Sequence, residues 1–257
     1  MADIFRLDGK TAFVSGSRGY LGQAMALALA GAGAHVILNG RDDAALADQE
    51  ARLRHAGHHV TRAAFDITDI AAVRGFFAGC ARLDVLVNNA VSMRVTPFAD
   101  LQPHDFAQTY ASAVTSAFEA SRAALPALMA AVAASGDASV INIASMYAQV
   151  APDARLYDTD AQQSPFHYGP AKAGLLQLTR HLAAELGRHT IRVNALAPGP
   201  FPNNPPVAFG ERLAARTMLK RLGKADEIAG PVLFLASVAS RYVTGACLNV
   251  DGGWTAW

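Results

Sequence analysis

Cysteine is scarce. Cys80 and Cys247 are the only two in 257 residues, too few for a disulfide framework and suited to a reducing compartment. Charge is scarce too: charged residues make up 17% against 52% hydrophobic, which excludes a disordered chain. The formal net charge of +1 leaves no field of one sign, so neither nucleic acid nor an anionic membrane is expected as a partner. No apolar run reaches the ~18 residues that span a bilayer, and the stretch 123–134 is interrupted by Pro126. The opening MADIFRLDGK carries Asp3, Arg6 and Asp8 and lacks the apolar core of a signal peptide. The expectation is a cytoplasmic protein. No internal repeat, low-complexity tract or linker divides the sequence, so residues 1–257 read as one domain.

What is present is alternation. Short β-branched runs at 11–15, 35–39, 60–65, 85–88, 139–144, 192–197 and 246–250 read as strands. The fourth, VLVNN, is continuously apolar, as in a strand covered on both faces. Between the strands, 21–32, 44–56, 106–134 and 169–186 read as helices, the last with Leu175, Leu178, Leu182 and Leu186 on one face. The Pro-rich stretch 198–206 reads as a loop before a helical segment near 210–220. Strand–helix–strand repetition predicts an α/β fold, a doubly wound parallel sheet with helices on both faces.

Three patterns carry chemistry. The first is Ser15-Gly16-Ser17-Arg18-Gly19-Tyr20-Leu21-Gly22, between the first strand and the first helix. Its glycines let backbone approach a pyrophosphate, and the helix start offers free N–H groups. A plain tight turn is the bland alternative, and the placement favours nucleotide binding. The second is the set of residues just past the strands, Gly16, Arg41, Asp66, Asn89, Ser145 and Pro198, which a parallel sheet gathers at its carboxyl edge. The third is Tyr168 and Lys172, at i and i+4 on one helix face. A lysine cation beside a phenol is expected to lower its pKa toward neutrality, which suits a general acid for carbonyl reduction. By itself such a pair is usually a solvated helix surface.

Taken in order, the Gly-rich turn, Asn88-Asn89-Ala90, Ser145, Tyr168 with Lys172, Asn194, Pro198-Gly199 and the terminal Asp251-Gly252-Gly253 make the chain resemble a short-chain dehydrogenase/reductase over its whole length. The pattern is nearest to gluconate 5-dehydrogenase-like and 3-oxoacyl reductase-like members. The resemblance implies a seven-stranded Rossmann fold of order 3-2-1-4-5-6-7. It implies an NAD(P)(H)-dependent oxidoreductase that interconverts a secondary alcohol and a ketone or aldehyde, and a homo-oligomer, dimer or tetramer, formed through the helices at 106–134 and 169–186. Tyr168 would be the general acid/base, Lys172 would hold the nicotinamide ribose, and Ser145 would polarise the substrate oxygen. The cofactor would lie against Gly16, Ser17, Arg18, Gly19, Tyr20 and Leu21, then Asn39 and Arg41, Asp66 and Ile67, Asn88 and Ala90, Tyr168 and Lys172, and Pro198 and Gly199.

The sequence departs from the family in places. Ser15 stands for the usual Thr, Val91 replaces a Gly, and Phe201 follows Pro198-Gly199 in place of a Thr. Ala113 occupies the position where most members carry a catalytic Asn, which implies a modified proton path. A neutral Asn39 followed by Arg41 predicts NADP(H) over NAD(H), since an acidic residue there would repel a 2′-phosphate. The segment between Ser145 and Tyr168 is longer than is common in the family. It is polar, with Tyr147, Asp153, Arg155, Tyr157, Asp158, Asp160 and Gln163, so Tyr147, Asp153, Arg155 and Tyr157 join Ser145 and Tyr168 as candidate readers of a small polar substrate. The opposing possibility is that these charges face solvent. Two rival functions remain: a 3-oxoacyl thioester reductase, and a catalytically weak nucleotide-binding sensor or scaffold. His55, His58 and His59 lack partners at metal-ligand spacing, and no metal is expected. His167 reads as a packing or surface residue, with a substrate-facing role as the alternative. Trp254 and Trp257 read as packing at a subunit contact or substrate rim.

Overall fold

The computed structural model describes residues 4–159 and 163–257. Its seven strands are β1 (Thr11–Val14), β2 (His35–Gly40), β3 (Val60–Ala64), β4 (Val85–Asn88), β5 (Ala138–Ile143), β6 (Ile191–Pro198) and β7 (Cys247–Val250). They form one sheet of order β3-β2-β1-β4-β5-β6-β7, parallel throughout. The seven sequence-read strands coincide with these to within a residue or so.

Side chains alternate across the sheet with period two. Val14, Val36, Leu38 and Val87 pack on one face with Met25 and Leu29 of α1 (Tyr20–Gly31), Leu46 of α2 (Asp43–His55) and Val232 of α9 (Ala229–Ala236). Phe13, Ile37, Leu86 and Val140 pack on the other with Phe77 of α3 (Ile70–Ala78), Ala120 of α5 (Ser116–Ala123), Leu128 of α6 (Leu125–Ser135) and Leu182 of α7 (Tyr168–Gly187). Both faces are covered, which is why the strands read as unbroken apolar runs.

The helix expected over 106–134 is broken. It comprises α4 (Pro103–Tyr110), a wide π turn (Ala111–Thr115), α5 and α6, with a 55° bend between 103–123 and 125–135. Pro126 lies in the first turn of α6, where a missing N–H costs nothing, whereas inside a continuous helix its ring would strike the carbonyl four residues back. The segment expected near 210–220 is α8 (Val207–Arg216). No single described helix is long and apolar enough to cross a membrane.

Candidate active site

The ends of β1 and β4 are tied together at the carboxyl edge. The Ser15 hydroxyl accepts from the backbone N–H of Asn89 (2.9 Å) and Ala90 (3.0 Å). The Asn89 amide donates back to the carbonyls of Ser15 (2.9 Å) and Gly16 (3.0 Å). Gly16 has φ +62°, and a Cβ there would come within 3.1 Å of Ala90 Cα. At Gly22 a Cβ would stand 2.2 Å from the Gly16 carbonyl oxygen. The turn thus closes only with glycine at these positions. Gly19 caps α1 without a side-chain bond, so the first N–H groups of the helix stay available to an anion.

The turn opens on a cavity of about 840 Å³ along the carboxyl edge. Of the residues expected to hold a cofactor, Gly16, Gly19, Tyr20, Leu21, Asn39, Arg41, Asp66, Ile67, Ala90, Tyr168, Lys172, Pro198 and Gly199 line it. Ser17, Arg18 and Asn88 do not. Ser17 is turned into the protein, its hydroxyl donating to Gln49 Oε1 at 3.1 Å. Arg18 is exposed. Asn88 is buried, donating to Asn142 Oδ1 at 2.9 Å and so joining β4 to β5.

At the far end of β2, Asn39 is buried and donates to the carbonyls of Ala63 (2.9 Å) and Phe65 (3.2 Å). Arg41 is mostly exposed and 3.8 Å from Asp66. Burial works to raise the Asp66 carboxyl, yet the bonds from Thr68 and the Arg41 charge together hold it below its ordinary value. At the other end, Gly199 donates to the Val250 carbonyl at 3.0 Å, and a Cβ on Gly199 would lie 2.5 Å from Asp251 Cα. The wall beside Pro198 therefore backs directly onto the end of β7.

Ser145, Tyr168 and Lys172 all line the same cavity. Ser145 follows β5, Tyr168 opens α7, and Lys172 lies one turn on. The Ser145 hydroxyl faces the Tyr168 phenol and works to lower its pKa. Lys172 is 2% exposed and donates to the Ile143 carbonyl. The expected lowering of the Tyr168 pKa is corrected here. Burial raises the phenol above its ordinary value, and the nearby Ser145 hydroxyl offsets only part of that rise. The lysine moves instead, down to about 8, because burial penalises its charge. A neutral phenol beside a buried ammonium is a proton donor at neutral pH.

Of the expected substrate readers, Ser145 and Tyr168 line the cavity, whereas Tyr147, Asp153, Arg155 and Tyr157 do not. No described residue between 147 and 165 lines the cavity. Asp153 and Arg155 pair with each other (2.9 and 2.8 Å), with the Arg155 side chain 89% exposed. The Tyr147 and Tyr157 hydroxyls bond each other at 2.9 Å. Leu156 anchors the segment against Met146, Leu213 and Trp254, and Arg212 of α8 donates to its carbonyl at 2.8 Å. The segment's apolar residues pull it onto α8 and the C-terminal turn. Asp160 lies outside the described residues. On the substrate side the cavity is lined instead by Val91, Ser92, Met93, Gln108, Ala111, Ser112 and Phe201, which sequence reasoning missed except as departures at 91 and 201. Ala113 does not line it. It is buried with Val91, Val114, Ala117, Ala171 and Leu175.

The chain belongs to the short-chain dehydrogenase/reductase family, and it is an oxidoreductase acting on CH–OH groups. A family profile described as enoyl-(acyl carrier protein) reductase matches residues 17–255. A galactitol 2-dehydrogenase (L-tagatose-forming) of Cereibacter sphaeroides is 35% identical over 99% of this chain and 98% of its own length. The rhamnolipids biosynthesis 3-oxoacyl-(acyl-carrier-protein) reductase of Pseudomonas aeruginosa is 34% identical over 98% and 99%. A gluconate 5-dehydrogenase from Burkholderia cenocepacia, solved with NADP and tartrate, is 32% identical and superimposes with a TM-score of 0.87 over 99% of this chain and 98% of that one. The uncapped start of α1, and the turn that a Cβ at 16 or 22 would fill, fit the pyrophosphate of such a nucleotide.

Proposed function

We propose that residues 1–257 act as one NAD(P)-binding domain that interconverts a secondary alcohol and a ketone on a small polar substrate, a sugar, sugar acid or hydroxy-ketone, with NADP(H) preferred. The observation that carries this reading is the placing of Ser145, Tyr168 and Lys172 in the same cavity as the glycine turn. The bound nicotinamide nucleotide supplies or accepts the hydride. In the reducing direction the Tyr168 phenol gives its proton to the substrate oxygen, and the Ser145 hydroxyl hydrogen-bonds the same oxygen. Lys172 spends one N–H on Ile143, and its remaining donors would hold the nucleotide's ribose. The turn, Asn39, Arg41, Asp66 and Ile67 would hold the remainder, and Pro198 with Gly199 would wall the nicotinamide.

Support for a polar substrate comes from two side chains. Among the described residues, the Ser92 hydroxyl and the Gln108 amide line the cavity and receive no hydrogen bond. They are therefore available to substrate hydroxyls. Galactitol and gluconate dehydrogenases among the relatives point the same way. The exposed rings of Phe106, Tyr110 and Phe118 along α4 and α5 support the expected homo-oligomer.

The deciding experiment is Tyr168→Phe assayed against a panel of polyols, sugar acids and 3-oxoacyl thioesters. Loss of the general acid lowers turnover roughly 10²–10⁴-fold, while NADP(H) affinity stays near wild type. Wild-type turnover in the variant removes the assignment. A wild-type preference for long-chain 3-oxoacyl thioesters replaces the polar substrate with the acyl reading, for which Val91, Met93 and Phe201 supply an apolar wall.

A further inference from the structure

The loop after β4 contributes Val91, Ser92 and Met93 to the substrate side of the cavity, yet its own backbone makes no ladder there. Among the described residues, every hydrogen bond holding 91–96 to the remainder of the protein comes from three side chains. Ser112 accepts from the Ser92 N–H (2.9 Å) and donates to the Ser92 carbonyl (3.2 Å). The Thr109 hydroxyl is placed to donate to the same carbonyl at 3.2 Å. His167 bonds the Arg94 carbonyl through Nε2 at 3.1 Å, and Thr109 Oγ1 through Nδ1 at 2.9 Å.

His167 is 1% exposed, and it immediately precedes Tyr168. A backbone carbonyl can only accept, so Nε2 carries a proton. In the neutral imidazole Nδ1 is an acceptor, and the single Thr109 hydroxyl proton goes either to it or to the Ser92 carbonyl. One ring thus spans the loop and α4 from the residue next to the phenol. The bond to Thr109 is buried and the one to Arg94 part-buried, so losing the ring leaves acceptors that solvent replaces only in part.

We propose that His167 is a positioning residue, which sets the substrate-lining loop relative to Tyr168 by holding the Arg94 carbonyl. The inference rests on the proposed function for its effect on turnover, but not for its effect on the loop.

Three substitutions separate the two bonds. Gln carries an amide nitrogen at about the reach of Nε2, Asn at about the reach of Nδ1, and Phe fills the space with neither. Two readouts apply to the full-length protein: steady-state kinetics with galactitol and gluconate and their keto forms, and amide hydrogen exchange of 91–97 with and without NADP(H). The expected result for His167→Phe is a roughly tenfold rise in substrate KM with NADP(H) affinity within about twofold of wild type, and faster exchange at Ser92. His167→Gln restores both readouts and His167→Asn restores neither. A purely structural role predicts instead that KM rises while nucleotide affinity and melting temperature fall, together and in all three.

Unchanged KM and exchange in a folded His167→Phe overturn the proposal, as does equal behaviour of Gln and Asn. If the Phe variant does not fold, the Gln–Asn contrast decides. If wild type turns over none of these sugars, the functional reading fails, while the exchange contrast still judges the role of His167.

Discussion

The Lys172 ammonium lies 5.7 Å from the centre of the Tyr168 ring, in a position where burial brings its pKa down to about 8. Keeping a charge there is costly. The drop from 10.5 corresponds to on the order of 3 kcal/mol at neutral pH. Lys172→Met is therefore expected to leave the nucleotide-free protein at least as stable as wild type at pH 7 while cutting turnover by more than about 10²-fold. Because the folded pKa is depressed, the unfolded chain binds more protons between pH 8 and 10, so wild-type stability rises with pH through that window relative to the variant. Melting curves at pH 7, 8, 9 and 10 check this. A variant that melts well below wild type at pH 7 shows that the bond to Ile143 outweighs desolvation.

Arg41 is the cleaner handle on cofactor choice. Its pairing with Asp66 is long and exposed, so the guanidinium can turn to a 2′-phosphate. Arg41→Ala should lower the NADP(H)-over-NAD(H) ratio of kcat/KM by roughly 10–150-fold, since a charge-assisted contact is worth about 1.5–3 kcal/mol. Equal ratios in the two proteins refute the role.

Asn39→Asp, the obvious exchange toward NAD(H), should behave differently. The Asn39 amide donates to two carbonyl oxygens, those of Ala63 and Phe65, and a carboxylate would face both as an acceptor. The expected outcome is a stability loss of about 1–3 kcal/mol at pH 7 by denaturant titration, smaller below pH 4. A fully stable Asp variant contradicts the geometry.

Substrate reading should map to α4 and the loop after β4. Gln108→Leu and Ser92→Ala are each expected to raise KM for a polyol several-fold and to leave KM for a mono-alcohol unchanged. Arg155→Ala and Tyr157→Phe should alter neither. A KM effect at 155 with none at 108 would restore the 147–165 segment to the site.

At the opposite edge of the sheet, the His35 and His59 rings stack with centroids 4.1 Å apart. Burial, and then the charges of His59 and Arg54, lower the His35 pKa. The unfolded chain thus binds more protons just below pH 6.5, and stability falls as the pH drops through that region. His35→Gln, which keeps a partner for Thr61, should flatten this acid-side slope without changing turnover at pH 7.5. An identical slope in the variant locates the effect elsewhere.

The strands were legible because a parallel sheet covered on both faces demands apolar β-branched runs, and VLVNN or INIAS permits little else. Tyr168 and Lys172 were legible because helical spacing alone puts them on one face. Three things were not. The break at Pro126 was visible as a proline but hidden by the alanine run around it. The direction of the Tyr168 shift depends on burial, which a sequence does not state. The 147–165 segment is misleading because its polar residues outnumber the few apolar ones, Leu156 among them, that fix where it packs. His167 looked bland for a related reason, since both its partners lie over fifty residues away in sequence.

The strand order has a consequence for assembly. With β1 paired to β2 and β4, and β3 paired to β2, a chain leaving the ribosome can complete the β3-β2-β1-β4 half-sheet, and with it the glycine turn clamped by Asn89, before β5 has been made. The proton-transfer residues and the wall at Gly199 arrive only with the second half. During that interval the open edge of β4 is an unpaired parallel template. The nascent protein therefore has its nucleotide cradle in place, and an exposed sticky edge beside it, well before it has any means of moving a proton.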